Sequence, residues 1–297
     1  MAGIYRLVIN MKQIQWFPGH MKRALIEIQE RIKVVDIVIE LVDARAPMAS
    51  RNPELDKIIN NKPRLIVMTK KDLANVNRTN EWIQYFKQHS SGAIAVDANN
   101  FNYIEMKKIC LDVLKEKMEK EKAKGLRPRA IRAMICGIPN VGKSTLINKM
   151  AKKRATVVGN MPGVTKAQQW VKIDKDFELL DTPGVLWPSF ENHENGIKLA
   201  LLGTIKDTIL PSEELIYYLV KILTNEYQGS LKARYEIEEK PCANEIDVQE
   251  LLQLIGVKRG YLVSGGFVDI SKVIFLVLKE FRDGVLGKFC LEKARDF

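Results

Sequence analysis

No apolar run in this 297-residue chain approaches the roughly 20 residues that span a bilayer, so a membrane-crossing helix is not expected. Cysteine is scarce: Cys110, Cys136, Cys242 and Cys290 stand far apart without CxxC or CxxH spacing. That pattern excludes a zinc ligand set and a disulfide framework, and the four read as reduced, mostly buried thiols. Met1 to Asn10 lacks the apolar stretch and cleavage pattern of a signal peptide, so a bacterial-type cytoplasm is the expected location. Acidic residues are outnumbered, 36 against 47 basic ones, for a net charge of +11.

A basic excess of this size attracts phosphate-bearing polymers through counterion release, although many basic proteins bind none. Here the excess is clustered. Between Val141 and Lys175 stand Lys143, Lys149, Lys152, Lys153, Arg154, Lys166, Lys172 and Lys175, opposed only by Asp174. Nucleic acid is therefore the leading partner class. With 46% hydrophobic and 28% charged residues the composition is that of a globular protein, and the length allows two compact domains.

The apolar spacing of Leu25, Ile28 and Ile32 predicts a helix feeding a strand. Val34 to Val42 and Arg64 to Met68 are β-branched runs of the kind buried in parallel sheets, with a shorter third strand at Ile94 to Val96. A long charged helix is expected from Tyr103 to Gly125, then a strand from Arg129 to Cys136, a glycine-rich turn and a helix from Lys143 to Met150. Gln168 to Ile173 and Phe177 to Leu180 predict a hairpin. From Glu191 onward only helices are expected, broken at Pro211, Gly229, Pro241 and Ser264-Gly265-Gly266. An α/β domain with a mostly parallel sheet, followed by a smaller all-α domain, accounts for the change of pattern.

Gly137-Ile138-Pro139-Asn140-Val141-Gly142-Lys143-Ser144-Thr145 fits GxxxxGK followed by Ser or Thr, between a predicted strand and a predicted helix. In that context backbone N–H groups and the helix N-terminus cradle phosphates, Lys143 reaches the β and γ oxygens, and the Ser144 hydroxyl ligates Mg²⁺. Asp181-Thr182-Pro183-Gly184 matches DxxG, with Asp181 holding the Mg²⁺ shell through water and the Gly184 N–H meeting the γ-phosphate. Thr165 lies between the two motifs, where a second hydroxyl ligand of Mg²⁺ belongs.

Base choice rests on Thr69-Lys70-Lys71-Asp72, a variant of NKxD with threonine first. Asp72 can accept both the N1 and N2 protons of guanine, a pattern adenine cannot satisfy, while Lys70 lies along the base. Asp97-Ala98 is the expected backbone contact to the guanine oxygen. GTP or GDP is thus the expected ligand. The order of motifs is permuted, since the guanine motif at 69 precedes the phosphate loop at 137. An open sheet permits this, because its site is built from loops at adjacent strand ends whatever their order in the chain.

Cutting the chain after the DxxG motif leads that segment straight into the helical part and puts Trp16 to Met21 on the other side of the cut. The position after DTPG, where many GTPases carry a water-orienting glutamine, is Val185, which can neither donate nor accept. His20, one of three histidines with His89 and His193, is the group that topology offers in its place. An isolated histidine of this kind is equally open to a packing role.

These residues resemble the ribosome biogenesis GTPase A family of circularly permuted GTPases. The resemblance runs from about Ile14 to the C-terminus. It is carried by Ile14 to Met21, Leu41-Val42-Asp43-Ala44-Arg45 with Pro47, the phosphate loop, Pro162 to Thr165, Gln168 to Lys172, Leu179 to Pro188 and Ser264 to Gly266. It implies an N-terminal extension over residues 1–13, foreign or from an upstream start, a GTPase domain over 14–188 and a helical domain over 189–297. It further implies that His20 supports hydrolysis, that Asn140 helps hold a K⁺ ion, and that the helical domain binds ribosomal RNA in late assembly of the large ribosomal subunit, which stimulates turnover. Expected RNA contacts are Lys149 to Lys172 and Lys258, Arg259, Lys272, Lys279 and Arg282, on a monomer that binds neither DNA nor membrane. Two rivals stand beside this reading. One is a ribosome-binding scaffold with a vestigial nucleotide site, which Val185 favours, and the other is an ATPase, which Asp72 and Lys70 disfavour.

Overall fold

Runs of β-branched residues build the centre of the molecule. The computed structural model describes residues 19–59, 62–151, 169–186, 192–205 and 209–297, apart from the side chains of 19–22 and 169. In chain order these hold α1 (Gly19–Arg31), β1 (Ile37–Asp43), α2 (Pro53–Ile59), β2 (Arg64–Thr69), α3 (Val76–His89), β3 (Gly92–Ala95), α4 (Tyr103–Ala123), β4 (Ile131–Gly137), α5 (Lys143–Met150), β5 (Gln169–Asp174) and β6 (Phe177–Asp181). The helices α6 (His193–Leu201), α7 (Ser212–Glu226), α8 (Ser230–Tyr235), α9 (Glu245–Arg259) and α10 (Ile270–Arg282) follow. The strands form one sheet in the order β3-β2-β1-β4-β6-β5, parallel except for β5, which pairs antiparallel with β6 as the expected hairpin.

Every residue of β1 is buried, as a central parallel strand covered on both faces must be. Alternate side chains enter different cores: Leu41, Leu65 and Val67 join the large one, while Val42, Ile66 and Met68 pack with Trp82 and Phe86 of α3. The large core continues into the helical part through Leu199, Leu215, Leu219, Val277 and Phe281. All four cysteines are free and buried. No described helix is long and apolar enough to cross a membrane.

The helical part does not end among its helices. Phe289 donates its N–H to the Leu73 carbonyl (3.2 Å), Leu291 donates to the Arg45 carbonyl (2.6 Å), and Cys290 and Ala294 fill the second core beside β1, β2 and α3. Buried Glu292 accepts from the Met48 (2.7 Å) and Ala49 (3.0 Å) N–H groups and from Lys198 (3.4 Å). The last nine residues are thus a strap that returns to the sheet.

Asp36 closes the joint that permutation creates between α4 and β4. Arg129 grips both its carboxylate oxygens at 2.7 Å, Lys117 bonds it from α4, and the Arg132 N–H donates to it at 3.0 Å. Burial pushes this carboxyl up, but the hydrogen bonds from Arg129 and Lys117 outweigh it and hold the group well below the usual carboxylate range. A depressed native value gives stability that is present above the unfolded value near 3.9 and lost as pH falls toward the folded one. Arg129 and Lys117 are 47% and 42% exposed, so solvent screening keeps the contribution modest. Asp36→Ala should therefore cost about 1–2 kcal/mol at pH 7 and less at pH 3. Urea unfolding at the two pH values checks this, and an equal gap at both would remove the ion pair from the account.

Candidate functional site

Strand register brings the motifs to one edge. Thr69 pairs with Asp43, Gly137 with Leu41, Asp181 with Ile135 and Ala95 with Met68, so the carboxyl ends of β1, β2, β3, β4 and β6 converge. Residues 137–142 form the loop from β4 into α5. Gly137 takes φ +158 where an added Cβ would lie 2.8 Å from the Leu41 carbonyl oxygen, and Gly142 caps α5 at φ +99. The first position excludes a side chain by this clash and the second disfavours one by its backbone conformation, as a backbone cradle for phosphate requires. Ser144 and Thr145 lie on the first turn of α5, half-buried.

Lys143 is 7% exposed and bonds Asp181 Oδ1 at 3.0 Å. The other carboxylate oxygen, Oδ2, is buried with no hydrogen-bond partner among the described residues. Burial raises the Asp181 pKa, a trend that Lys143 opposes. A dry carboxylate oxygen, with the Ser144 hydroxyl on the helix whose first residue, Lys143, bonds the same carboxylate, is a donor set suited to a hard divalent cation and its water, so the residues fit Mg²⁺. Gly184 packs directly on the phosphate loop, since a Cβ there would meet Pro139 Cα and N at 3.0 Å.

Val185 is 1% exposed and lies in the large core. Its N–H donates to the Gly137 carbonyl (3.2 Å) and its carbonyl accepts from the Asn52 amide (3.0 Å). The side chain therefore cannot orient a water, and its backbone ties the DxxG segment to both the phosphate loop and the residue before α2.

On the guanine side, Thr69 Oγ1 lies 2.6 Å from the Val141 carbonyl oxygen and 3.1 Å from that of Val42, with one hydrogen to share. The threonine thus stitches the guanine motif to the phosphate loop. Lys70 adopts the left-handed conformation (φ 57) and its Nζ bonds Asp43 at 2.9 Å. Half-buried Asp72 follows on a 3-10 turn (Lys71–Leu73), and the Lys71 N–H donates to the Val96 carbonyl (3.1 Å), joining this loop to the one after β3. There Asp97 turns back on its own loop, accepting from the Asn99 N–H (2.8 Å) and the Asn100 amide (2.7 Å), beside half-buried Ala98.

Thr165 and the basic positions 152–168 lie outside the described residues, as does the His20 side chain, although His20 itself stands in the first turn of α1. The other two histidines are engaged elsewhere, His193 with Glu214 (2.5 Å) and His89 with the Tyr85 carbonyl (2.7 Å). Among the basic residues expected on an RNA face, Lys149, Lys172, Lys258, Lys272 and Lys279 are exposed. Two are held inside the fold instead: Arg259 stacks over Tyr235 and donates to the Arg234 carbonyl (3.2 Å), and Arg282 donates to the Ala200 (2.9 Å) and Leu201 (3.1 Å) carbonyls at the end of α6. Charge was visible in the sequence; the carbonyls that claim these two side chains were not.

Sequence reasoning assigned no role to Asp43, Asn52, Arg45 or Gly203, yet all four touch the site. Asp43 is buried and held by Arg45 through two hydrogen bonds of 3.0 and 2.9 Å as well as by Lys70. Burial pushes its carboxyl up, but Arg45 and Lys70 outweigh that and keep it far below the usual range. Its place at the end of β1, in register with Thr69, is the signal that could have found it. Asn140 (φ 59) donates its side-chain amide to the Gly203 carbonyl (2.9 Å), past the end of α6.

Comparison with known proteins agrees with this geometry. A family described as 50S ribosome-binding GTPase matches residues 132–249. The chain is 50% identical over 285 residues to ribosome biogenesis GTPase A of Bacillus cereus, covering 96% of this chain and 95% of that protein. It is 30% identical over 283 residues to the protein of the same name from Thermotoga maritima, covering 95% of each. Among solved structures, the crystal structure of GNP-bound YlqF from T. maritima superposes with a TM-score of 0.62 at 25% identity, over 93% of this chain and 100% of that one. Its GDP-bound counterpart gives 0.61 at 25% identity, over 91% and 100%. With its guanine motif ahead of its phosphate loop and this likeness over nearly its whole length, the chain belongs to the ribosome biogenesis GTPase A family and is a GTPase of ribosome biogenesis.

Proposed function

We propose that the protein is a switch in late assembly of the large ribosomal subunit, with a GTPase unit over 14–188 and a helical unit over 189–297 that binds ribosomal RNA. The observation that carries this reading is the packing of the DxxG segment: Gly184 lies against Pro139 of the phosphate loop, and the next described element in chain order is α6 of the helical part. A γ-phosphate that orders Gly184 and Thr165 acts on the helical unit through a few residues, and hydrolysis releases it. Exposed Lys258, Lys272 and Lys279, with Lys149 and Lys172, supply the RNA contacts. The protein acts as a monomer in the cytoplasm.

Within the site, Lys70 and Asp72 read guanine with the Ala98 backbone, while Val141, Gly142, Lys143, Ser144 and Thr145 hold the phosphates. Ser144, Thr165 and, through water, Asp181 hold Mg²⁺, which supplies charge neutralisation at the phosphates. Asn140 Oδ1, which accepts no hydrogen bond among the described residues, is the oxygen offered to K⁺. His20 replaces the missing glutamine as the group that orients the attacking water. In support, α1 packs on α2, and the Asn52 side chain just before α2 binds the Val185 carbonyl.

The scaffold reading is favoured by one observation, the burial of Val185. Hydrolysis measured in KCl and in NaCl, with and without large ribosomal subunits, separates the two. Subunits and K⁺ should raise the rate, and His20→Ala should cut the stimulated kcat by about 10²–10⁴ with GTP binding retained. A background rate throughout, with subunit binding intact, would instead establish the scaffold.

A further inference from the structure

Among the described residues, three that are not glycine have positive φ: Lys70, Asn140 and Glu236. For a lysine this conformation costs on the order of 1 kcal/mol, so something must hold it. Two of the three flank the nucleotide site, one on the base side and one on the phosphate side. Each is held by a side-chain contact, and both lines of contact end at the same residue of the helical unit.

On the base side Lys70 Nζ bonds Asp43 Oδ2 (2.9 Å), Arg45 grips both oxygens of Asp43, and Arg45 Nη1 donates to the Arg282 carbonyl (3.4 Å). On the phosphate side Asn140 donates to the Gly203 carbonyl, and Arg282 fixes the turn that presents it, its guanidinium donating to the Ala200 and Leu201 carbonyls. Arg282, the last residue of α10, thus touches one line through its carbonyl and the other through its side chain. Asp43 and Arg45 are 1% and 2% exposed, so the centre of the base-side line is dry, while Lys70, Asn140 and Arg282 at its ends and on the other line are half-buried.

We propose that Asp43, Arg45 and Arg282 are positioning residues that brace Lys70 and Asn140, so that the helical unit sets guanine-nucleotide affinity from both ends of the site. None of the three touches nucleotide; they act by holding two strained backbone positions in the conformation the ligand requires. By linkage, a partner that displaces α10 from this junction weakens nucleotide binding, and nucleotide opposes the displacement. The inference rests on Lys70 as a guanine contact.

The test measures GDP and GTP dissociation constants, with KM and kcat, for the full chain carrying Lys70→Ala, Asp43→Asn, both together, and Arg282→Gln. Lys70→Ala and Asp43→Asn should each weaken binding about five- to tenfold, and the double variant should match Lys70→Ala alone, because residues acting through one another are not additive. Arg282→Gln should raise KM more than it lowers kcat, and Arg282→Lys, which keeps a donor for one carbonyl, should restore part of the affinity. An unchanged affinity in Lys70→Ala removes the guanine contact itself. If Lys70→Ala weakens binding while the Asp43→Asn effect multiplies with it, the brace is overturned and Asp43 is only structural. Should Asp43→Asn fail to fold, Arg282→Gln decides: a folded variant that binds GDP like the parent overturns the proposal.

Discussion

Lys143→Ala should lower kcat/KM for GTP by about 10³ and at the same time destabilise the protein by about 3–5 kcal/mol. The catalytic loss follows from removing the cation proposed to meet the β and γ oxygens, where negative charge moves during phosphoryl transfer. The loss of stability comes from Asp181, which would remain buried with one oxygen unpartnered and the other stripped of its Lys143 cation. Burial already raises its pKa, and without Lys143 only the Thr182 backbone N–H opposes that rise. A carboxyl whose native pKa lies above its unfolded value binds its proton more readily when folded, so stability is greatest below the unfolded value and falls as pH rises through the folded one. By urea unfolding, the variant's loss of stability should therefore shrink as pH is lowered toward the unfolded carboxyl value. Lys143→Met with Asp181→Leu should recover much of the stability but none of the activity, since a matched apolar pair replaces a broken buried ion pair. A single variant that hydrolyses GTP like the parent would take Lys143 out of the mechanism.

The second large effect is on base choice. Asp72→Asn should reduce the preference for GTP over ATP by about 10²-fold or more, because an amide offers one acceptor where guanine presents two donors. The same amide can donate to a carbonyl at C2, so xanthosine triphosphate should gain as GTP loses. Competition of GTP, ATP and xanthosine triphosphate against a labelled GDP reads all three. If the GTP to ATP ratio is the same in parent and variant, guanine is recognised by something other than this motif.

How far the site can be read before the fold is known depends on how local each part is. The phosphate loop and DxxG are each contiguous stretches whose residue types are legible from spacing alone, although the partners their glycines answer to, the Leu41 carbonyl against Gly137 and Pro139 against Gly184, are distant in the chain. The hairpin of β5 and β6 and the β-branched runs of β1 and β2 are legible for the same reason, since burial on both faces selects those side chains wherever they occur. The start of β1 is placed three residues later than expected, at Ile37, because Ile32–Val34 wind into a 3-10 turn and Asp36 is taken up by Arg129 and Arg132.

Thr69 illustrates the middle ground. Chemistry alone marks it as a departure from asparagine, yet only its position beside Val141 and Val42 explains why a hydroxyl serves there. Arg282 lies at the far end of the scale. In the linear chain it is one basic residue of a charged helix, indistinguishable from Lys279, because charge is a property of the residue and its partner a property of the fold. Lys279 bonds Asp283 at the surface, whereas Arg282 reaches carbonyls more than 80 residues away.

The chain alone thus settles a permuted guanine-nucleotide site and a helical unit behind it, because motif residues obey short-range steric and hydrogen-bonding rules that any fold must satisfy. Packing settles how the two parts meet. Arg45 meets Arg282 across 237 positions, Asn140 meets Gly203 across 63, and the strap at Phe289 to Phe297 enters a core formed by β1, β2 and α3. Contacts at such separations leave no period or spacing in the sequence. They are selected by shape and by the need to satisfy buried polar groups, which exist only once the elements are assembled.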